Sequence, residues 1–537
     1  MNSNDLLYLL PEIILLLAAA AIMALDLIGP APRQGPQAAS PQPQGDAPLP
    51  PADGAPLEAP GSRPDGAGAG ASMASARDGK PWLPYVALVG LGAALLGMLP
   101  ALGHTPSAPI ATMLAADPYA VFFQVLAILG VAVVILAAIP YMESRTPYRG
   151  EFYGLLLIVA LAVCLAVSAT NLVLIYLGLE LLSITSYVLA GYIRNDRKSG
   201  EAAIKYFLYG ATASAVMLYG MSLLYRATGT TDLSGVARAL AGPAQSRLAW
   251  LGAPAIILLL SGFGFKASLV PFHQWAPDTY EGAPTPVTAF LSTISKATGF
   301  AVLIRVFLVA LGQPQLQGEW TALLIAVSIA TMTIGNLTAL RQTNIKRLLA
   351  YSSIAQAGYI LMGVAAVFTA RGSTFTGING SLIYLFGYLF TNAGAFAVVI
   401  AVENATGKTD VKDYAGLVSR APWLAGLLFL FLVSLAGIPP TAGFLGKFFV
   451  FGAVVQRQLW GLAAIGAVNA VVAAFYYLNI VRYMFFTPAE DGAPRIGVPG
   501  ALQAALVVTG ALTLLLGLLP APLIDWATRS AAQLMGM

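Results

Sequence analysis

Four charged residues lie within apolar stretches long enough to cross a membrane: Glu180, Lys266, Lys296 and Lys447. An unpaired charge at membrane depth is costly, so ionisable side chains found there are candidates for a function. Burial lowers the pKa of a lysine and raises that of a glutamate, whereas pairing of the two charges does the reverse. A lysine held between these two influences can exchange a proton near neutral pH. The sequence therefore predicts a protein that moves protons or cations.

Two further residues are candidates for the same chemistry. His273 lies between Pro271 and Trp275, and it suits a proton relay because the ordinary pKa of histidine is near neutrality. A histidine satisfied in the protein interior is the alternative. Lys205 and Arg305 also lie within apolar stretches, where a long cation can reach the interface or form a structural pair. We keep Lys205 as a candidate proton-channel residue and interpret Arg305 as structural.

Composition determines the broad class. Of the 537 residues, 58% are hydrophobic and 10% are charged, which exceeds what a soluble domain can bury. Only helices and closed barrels satisfy their backbone within a bilayer, and the long apolar stretches indicate helices. Cys164 is the single cysteine, and no cysteine or histidine cluster has metal-ligand spacing, so we expect neither a disulfide within the chain nor a bound metal or haem.

About 20 apolar residues form a helix that spans the hydrocarbon core. By this measure we predict an all-α polytopic membrane protein with about 14 transmembrane helices. We number the spans 1 to 14, and they lie near 6–29, 83–103, 119–140, 152–169, 171–193, 202–225, 250–275, 286–310, 320–340, 345–368, 378–402, 422–452, 460–486 and 499–524.

The distribution of Lys and Arg predicts the orientation. Seventeen of the 28 basic residues fall on one side of the spans and six on the other, with five inside the spans. We call the side with seventeen the basic side. The positive-inside rule makes it cytoplasmic, so both termini should lie on the periplasmic side. Residues 30–81 also fall on the basic side, and their Pro/Ala/Gly-rich composition predicts a disordered cytoplasmic insertion.

Spans 7 and 12 contain glycine and proline at positions that favour a broken helix: Gly262, Gly264 and Pro271 in span 7, and Gly437, Pro439, Pro440 and Gly443 in span 12. Each of these spans also carries a lysine beside a Gly-Phe pair. Interrupted spans in corresponding positions of two halves are typical of inverted-repeat transporters. We therefore predict two inverted five-helix repeats, spans 4–8 and spans 9–13.

This prediction divides the chain into six parts. They are the first transmembrane helix (1–29), the insertion (30–81), spans 2 and 3 (82–140), the first repeat (141–310), the second repeat (311–486), and the last transmembrane helix with the C-terminus (487–537).

Four segments carry a resemblance to a known family. They are "LGLELLSITSYVLAGY" around Glu180, "GFGFKASLVPFHQWAPDTYEGAPTPVTAFLSTISKATG" from Gly262, "NIKRLLAYSSIAQAGY" from Asn344 and "AGIPPTAGFLGKFFVF" from Ala436. They resemble the antiporter-like membrane subunits of proton-pumping NADH:quinone oxidoreductase, respiratory complex I (NDH-1). Among these the chain is most similar to the subunit N branch, and only the insertion at 30–81 departs from the family pattern.

The resemblance implies roles for the residues at the matching positions. It implies that Glu180 pairs with Lys266, that Lys296 connects two half-channels, and that Lys447 faces the outer exit. It also implies that Lys205 matches a family lysine of the sixth span.

The resemblance implies a setting as well. The chain would be a proton translocase subunit in a bacterial inner membrane, in contact with lipid and with other membrane-arm subunits and not with nucleic acid. FMN, iron–sulfur clusters and quinone would be bound by other subunits, with no cofactor in this chain.

Three alternatives differ in observable ways. Subunit L has a long lateral helix after its last span, whereas only about thirteen residues follow span 14 here, and subunit M typically has a glutamate where Lys447 stands. An Mrp-type or stand-alone cation/proton antiporter would share the same lysines and glutamate. A passive scaffold would use the lysines only to hold helices together.

Overall fold

The computed structural model describes residues 7–27, 80–100, 110, 113–242, 251–367, 373–490 and 492–536, and helices make up most of them. Eleven of the described helices are long and apolar enough to cross a membrane, and four shorter apolar helices accompany them. Together they cover all fourteen predicted spans, which confirms the all-α membrane class. Nearly all of the predicted insertion at 30–81 lies outside the described residues, and so does His104.

The helices of spans 1 to 14 are, in order, Leu10–Leu27, Leu83–Gly97, Pro118–Glu143, Arg149–Ser168, Leu172–Ala190, Arg197–Thr228, Gly252–Ala267, Thr285–Ala310, Pro314–Ala339, Ile345–Ala365, Ile378–Thr406, the pair Pro422–Ala436 and Ala442–Gln456, Trp460–Phe486, and Gly500–Leu518. Shorter helices at Leu233–Leu240, Trp275–Gly282, Leu417–Arg420 and Ala521–Leu534 lie between or after the spans.

Spans 8, 10 and 11 form the centre of the described fold, because their side chains are almost entirely buried. Spans 1, 6, 13 and 14 expose much of their surface, including large apolar side chains such as Val471 and Phe486. Exposed apolar side chains in a membrane protein face lipid or another subunit. The centre is therefore the place where a polar group can be kept from lipid.

Two matching loops relate the predicted repeats. Before span 5, Asn171 Nδ2 donates to Thr231 Oγ1 over 2.9 Å, and before span 10, Asn344 Nδ2 donates to Thr409 Oγ1 over 2.8 Å. In both loops the asparagine side chain also caps the helix that follows it. Five spans separate the two loops, so they lie on opposite sides of the fold. This confirms the inverted relation of spans 4–8 and 9–13.

The predicted helix breaks are also present. The helix of span 7 ends at Ser268, and the first helix of span 12 ends at Gly437, and both residues have left-handed backbone with φ of 57° and 89°. Lys266 precedes its break, whereas Lys447 follows its break in the second helix. The two lysines beside Gly-Phe pairs therefore do not occupy equivalent positions in the repeats.

Candidate functional site

Lys296 lies at the centre of the fold and is fully buried. A π-helical segment, Leu291–Ser295, leads directly into it, and such segments often occur at functional sites. Its Nζ donates to the carbonyl oxygen and to Oγ of Ser353 in span 10, both over 2.6 Å. Both acceptors are uncharged, so the amine is hydrogen-bonded without being fixed as one half of an ion pair.

Lys447 is held by the broken helix of span 12. Its Nζ donates to the carbonyl oxygens of Leu435 and Ala436 over 3.0 and 2.8 Å. These are the last carbonyls of the first helix, which have no partner within that helix. The ring of Tyr359 lies 4.9 Å from the same nitrogen, within range of a cation–π contact. The break therefore creates the binding site of this lysine.

Gln356 joins the two lysine sites. It lies one helical turn after Ser353 on span 10, and its Nε2 donates to Leu435 O over 2.9 Å, the oxygen that also accepts from Lys447. Tyr477 Oη accepts from the same amide over 3.0 Å, and Tyr384 Oη donates to its other end. The sites of Lys296 and Lys447 thus form one buried polar chain, in which Ser353 and Gln356 are neighbours one turn apart on span 10 without a hydrogen bond between them among the described contacts.

The sequence reasoning did not single out Gln356, Tyr384 or Tyr477. The available signal was the run Ser352, Ser353 and Gln356 in a span that is otherwise apolar. All three of these span 10 residues are buried. Neutral polar residues are less costly than charges in a membrane helix, so their presence in the sequence is a weaker indication of function.

Glu180 and Lys266 lie near each other, but they do not form a direct ion pair among the described contacts. Glu180 Oε1 accepts a hydrogen bond from Ser214, and Lys266 Nζ donates to Tyr206 Oη over 3.4 Å. Glu180 still acts on Lys266 by electrostatic attraction. The direct pairing that the family resemblance implies is therefore replaced, in this structure, by two separate hydroxyl contacts.

Span 8 packs directly against Lys266. A Cβ atom added to Gly299 would lie 2.9 Å from the Cβ of Lys266, and Gly299 is three residues beyond Lys296. The hydroxyls of Ser268, Ser295 and Tyr280 are buried without a hydrogen-bond partner in this neighbourhood of the two lysines. Unpartnered buried hydroxyls are places where ordered water binds. The arrangement can support a wet connection between Lys266 and Lys296.

His273 is half-buried in the turn that follows the break of span 7. Its Nδ1 atom is buried without a hydrogen-bond partner. No direct contact joins the ring to a lysine among the described residues. A relay through His273 stays a prediction.

Lys205 lies apart from the buried chain, in a cluster at the basic side. Its Nζ contacts Asp278 over 2.7 Å and Glu201 over 2.8 Å, and Asp278 also accepts from Arg347 over 2.7 Å. Burial of Asp278 opposes its ionisation, but the hydrogen bonds from Lys205 and Arg347 outweigh this and hold the pKa of Asp278 below its usual value. Asp278 is thus a specific partner for Lys205 in a structural ion pair, and a role of Lys205 in a proton channel stays a prediction.

Arg305 forms a structural pair, as the sequence interpretation proposed. Its guanidinium binds both carboxylate oxygens of Asp117 over 2.7 and 2.8 Å, and its Nε donates to Val167 O.

Cys164 is buried and its thiol forms no disulfide among the described residues. The described residues contain no group of three His, Cys, Asp or Glu that could hold a metal ion.

The fold and the site together define a polytopic helical membrane protein with buried amines along an inverted-repeat core. The model of the family described as NADH:quinone oxidoreductase/Mrp antiporter, TM, matches residues 169–473. NADH-quinone oxidoreductase subunit N of Desulfitobacterium hafniense is 46% identical over 430 residues, which cover 78% of this chain and 86% of that protein. NADH-quinone oxidoreductase subunit N of Moorella thermoacetica is 42% identical over 457 residues, which cover 85% of this chain and 93% of that protein.

Solved structures give the same result. A chain of respiratory complex I from Thermus thermophilus with bound aureothin matches with a TM-score of 0.72 and 31% identity, over 96% of this chain and 98% of that one. A chain of the Mrp complex from Dietzia sp. matches with a TM-score of 0.77 at 21% identity. The match covers 100% of this chain and 98% of that one, and it shows a shared fold. This chain belongs to the NADH:quinone oxidoreductase/Mrp antiporter family.

Proposed function

We propose that this chain is a proton-translocating membrane subunit of an NADH:quinone oxidoreductase. The observation that carries the proposal is the buried polar chain from Lys296 through Ser353 and Gln356 to Lys447. It crosses from the first repeat to the second at the most deeply buried part of the fold. The relatives named above, which are subunits of the same oxidoreductase, support the proposal.

The proton moves by changes in hydrogen bonding along this chain. A change at Glu180 alters the electrostatic attraction on Lys266, and so alters how tightly that amine holds its proton. The disturbance passes to Lys296 in the adjoining span. Lys296 then releases a proton to the Ser353 hydroxyl, which gives up its own proton to water. Water alongside Gln356 carries the proton on to Lys447, which accepts it when its amine is neutral.

Electron transfer from NADH to quinone takes place in other subunits of the assembly, which bind FMN, iron–sulfur clusters and quinone. This chain performs no redox chemistry, binds no cofactor, and acts as a translocase together with the other membrane-arm subunits. The chain lies in a bacterial inner membrane, and the excess of basic residues on one side supports an orientation with both termini on the periplasmic side.

The antiporter alternative is less well supported. The Mrp likeness is at 21% identity and concerns the fold. The relatives at 42% and 46% identity are oxidoreductase subunits.

Replacing Lys266 by alanine in the assembled complex tests the proposal. We expect NADH-driven proton translocation to fall sharply while the complex still assembles, because the amine that responds to Glu180 is gone. Lys408→Ala is the matched control, since the exposed ammonium of Lys408 contacts only Asp413, over 3.9 Å, among the described residues. Proton release and NADH oxidation are measured together in vesicles. Normal translocation by an intact Lys266→Ala complex would refute the proposal, and a defect confined to assembly would favour the passive scaffold.

A further inference from the structure

A second polar path approaches Lys296 from the basic side, between spans 8 and 11. We call it the span 8–11 ladder, and its members are Thr285, Thr288 and Ser292 of span 8 and Glu403 and Asn392 of span 11. The two spans run antiparallel and pack together along this stretch. None of these residues was a candidate from the sequence.

The ladder begins at a carboxylate near the surface. Glu403 lies in the last turn of span 11, next to the loop that carries Lys408, and its side chain is 13% exposed. Oε1 accepts from Tyr141 Oη over 3.0 Å and contacts Arg145 over 3.5 Å, and Oε2 accepts from Thr285 Oγ1 over 2.5 Å. Glu403 can therefore meet water on one side and the first hydroxyl of span 8 on the other.

The charged and titratable groups around Glu403 come from several elements. Arg145 and Tyr141 belong to the end of span 3, while Lys346 at the start of span 10 and Tyr414 after span 11 lie within electrostatic reach. Arg145 also donates to Asn404, and Lys346 donates to the backbone oxygen of Ala283.

The hydroxyls of span 8 continue inward along one helix face. Thr285, Thr288, Ser292 and Lys296 follow one another at intervals of three, four and four residues, the spacing of neighbours on one side of a helix. All four are almost fully buried. Thr288 Oγ1 donates to Tyr280 O over 3.0 Å and Ser292 Oγ donates to Ala289 O over 2.9 Å, so each hydroxyl must turn away from its carbonyl to pass a proton on. Side chains at this spacing lie about 5–6 Å apart, a gap that one bridging water spans.

Span 11 contributes the inner half of the ladder. Asn392 Nδ2 donates to Ser292 Oγ over 2.7 Å, and Tyr388 lies one turn further along the same helix. Asn392 Oδ1 and Tyr388 Oη are both buried without a hydrogen-bond partner. A purely structural contact would satisfy both ends of the amide. The two unpartnered atoms therefore have free capacity to bind water.

We propose that Glu403 takes up protons at the basic side and that the span 8–11 ladder delivers them to Lys296. This inference rests on the proposed function and adds to it the residue that collects the proton. Glu403 accepts a proton from water and passes one to the Thr285 hydroxyl. Each hydroxyl and bridging water then accepts one proton and releases another, so no charge accumulates until Lys296 is protonated.

Thr288→Val and Glu403→Gln test the ladder in the assembled complex. Valine has nearly the shape of threonine but no hydroxyl, so we expect the initial rate of NADH-driven proton translocation to fall about fivefold, the effect of one net hydrogen bond lost. Glu403→Gln should lower the rate by a similar factor, and more at alkaline than at acidic pH, because a collecting carboxylate matters most when protons are scarce. Thr288→Ser and Glu403→Asp should restore most of the rate.

Thr298→Val is the matched control. Thr298 is equally buried on span 8 and its hydroxyl donates to a backbone carbonyl, Ile294 O, as two of the ladder hydroxyls do, but it lies on the opposite side of the helix from Lys296. We expect this variant to pump at the original rate. An equal loss in Thr298→Val, or a Glu403→Gln defect that is the same at all pH values, would assign the ladder a structural role and overturn the inference.

Running Lys266→Ala in parallel separates this inference from the proposed function. If Lys266→Ala abolishes translocation while Thr288→Val and Glu403→Gln pump normally, the ladder is wrong and the proposed function stands. If Lys266→Ala pumps normally, the proposed function is wrong, whatever the ladder variants do. Should Thr288→Val fail to assemble, Glu403→Gln decides the outcome, because its site is partly exposed.

Discussion

Gly437→Ala is expected to disable Lys447 without replacing the lysine itself. Gly437 has φ of 89°, a backbone conformation that costs a residue with a Cβ atom about 1–2 kcal/mol. The added Cβ would lie 2.6 Å from Cδ of Lys447, 3.3 Å from Cε and 3.2 Å from Nζ. Real Cβ atoms do not approach other atoms as closely as 2.6 Å, so the lysine side chain must move.

Movement of Lys447 breaks the contacts that hold it. Its Nζ donates to Leu435 O and Ala436 O, and the two oxygens are adjacent to the substituted residue. Hydrogen bonds made by a charged group are worth about 1.5–3 kcal/mol each. Losing one of them corresponds to a fall of about tenfold or more in the rate of a step that depends on it. We therefore expect proton translocation by the assembled complex to fall by about that factor.

The assay compares Gly437→Ala with Gly426→Ala. Gly426 lies in the helix just before the break, and a Cβ atom added there meets nothing within 4 Å. Alanine is also the better helix former by about 1 kcal/mol, so this control should assemble and pump normally. Proton release, NADH oxidation and the amount of assembled complex are measured for both. Normal pumping by Gly437→Ala would refute the role of the broken helix as the binding site of Lys447.

Two further predictions concern the polar chain and the surface cluster. Gln356→Leu removes the amide that donates to Leu435 O and to Tyr477 Oη, so we expect translocation to fall about tenfold with assembly unchanged. Gln342→Leu, whose amide donates to Thr338 O at the end of its own helix, should have no such effect, and equal rates in the two variants would contradict the path. Asp278→Asn should lower the melting temperature of the purified complex at neutral pH. Because the pKa of Asp278 is held below its usual value, its stabilising effect is present above the ordinary carboxyl range and is lost as the pH falls through the lowered value. The two melting temperatures should therefore converge in acid, and a difference that persists unchanged at low pH would contradict this reasoning.

The sequence predicted those features that local rules govern. Spans follow from apolar length, and the breaks follow from glycine and proline, so the positions near Ser268 and Gly437 could be found without a structure. The buried lysines were found because charges are rare and costly at that depth. The inverted repeats followed from the order of the breaks, and the matching loops at Asn171 and Asn344 now give them a direct structural basis.

Partners distant in sequence could not be predicted in the same way. Gln356 binds an oxygen 79 residues away, and Asn392 binds a hydroxyl 100 residues away. Neutral polar side chains satisfy their own helix in most membrane spans, so their type alone does not show which of them face a neighbour. The same limit applies to Lys205, whose partner Asp278 is 73 residues distant. Packing of the spans decides these contacts.

The nature of the partner separates the cations of this fold into two groups. Lys205 and Arg305 each contact a carboxylate over 2.7 Å, whereas among the described residues the hydrogen bonds of Lys296 and Lys447 all go to carbonyl or hydroxyl oxygens. A close carboxylate holds the proton on an amine, while burial favours its release. Neutral acceptors bind an ammonium group without fixing it, so an amine among them can alternate between two states. The cations suited to carry protons are therefore those that the fold has left without a close negative partner.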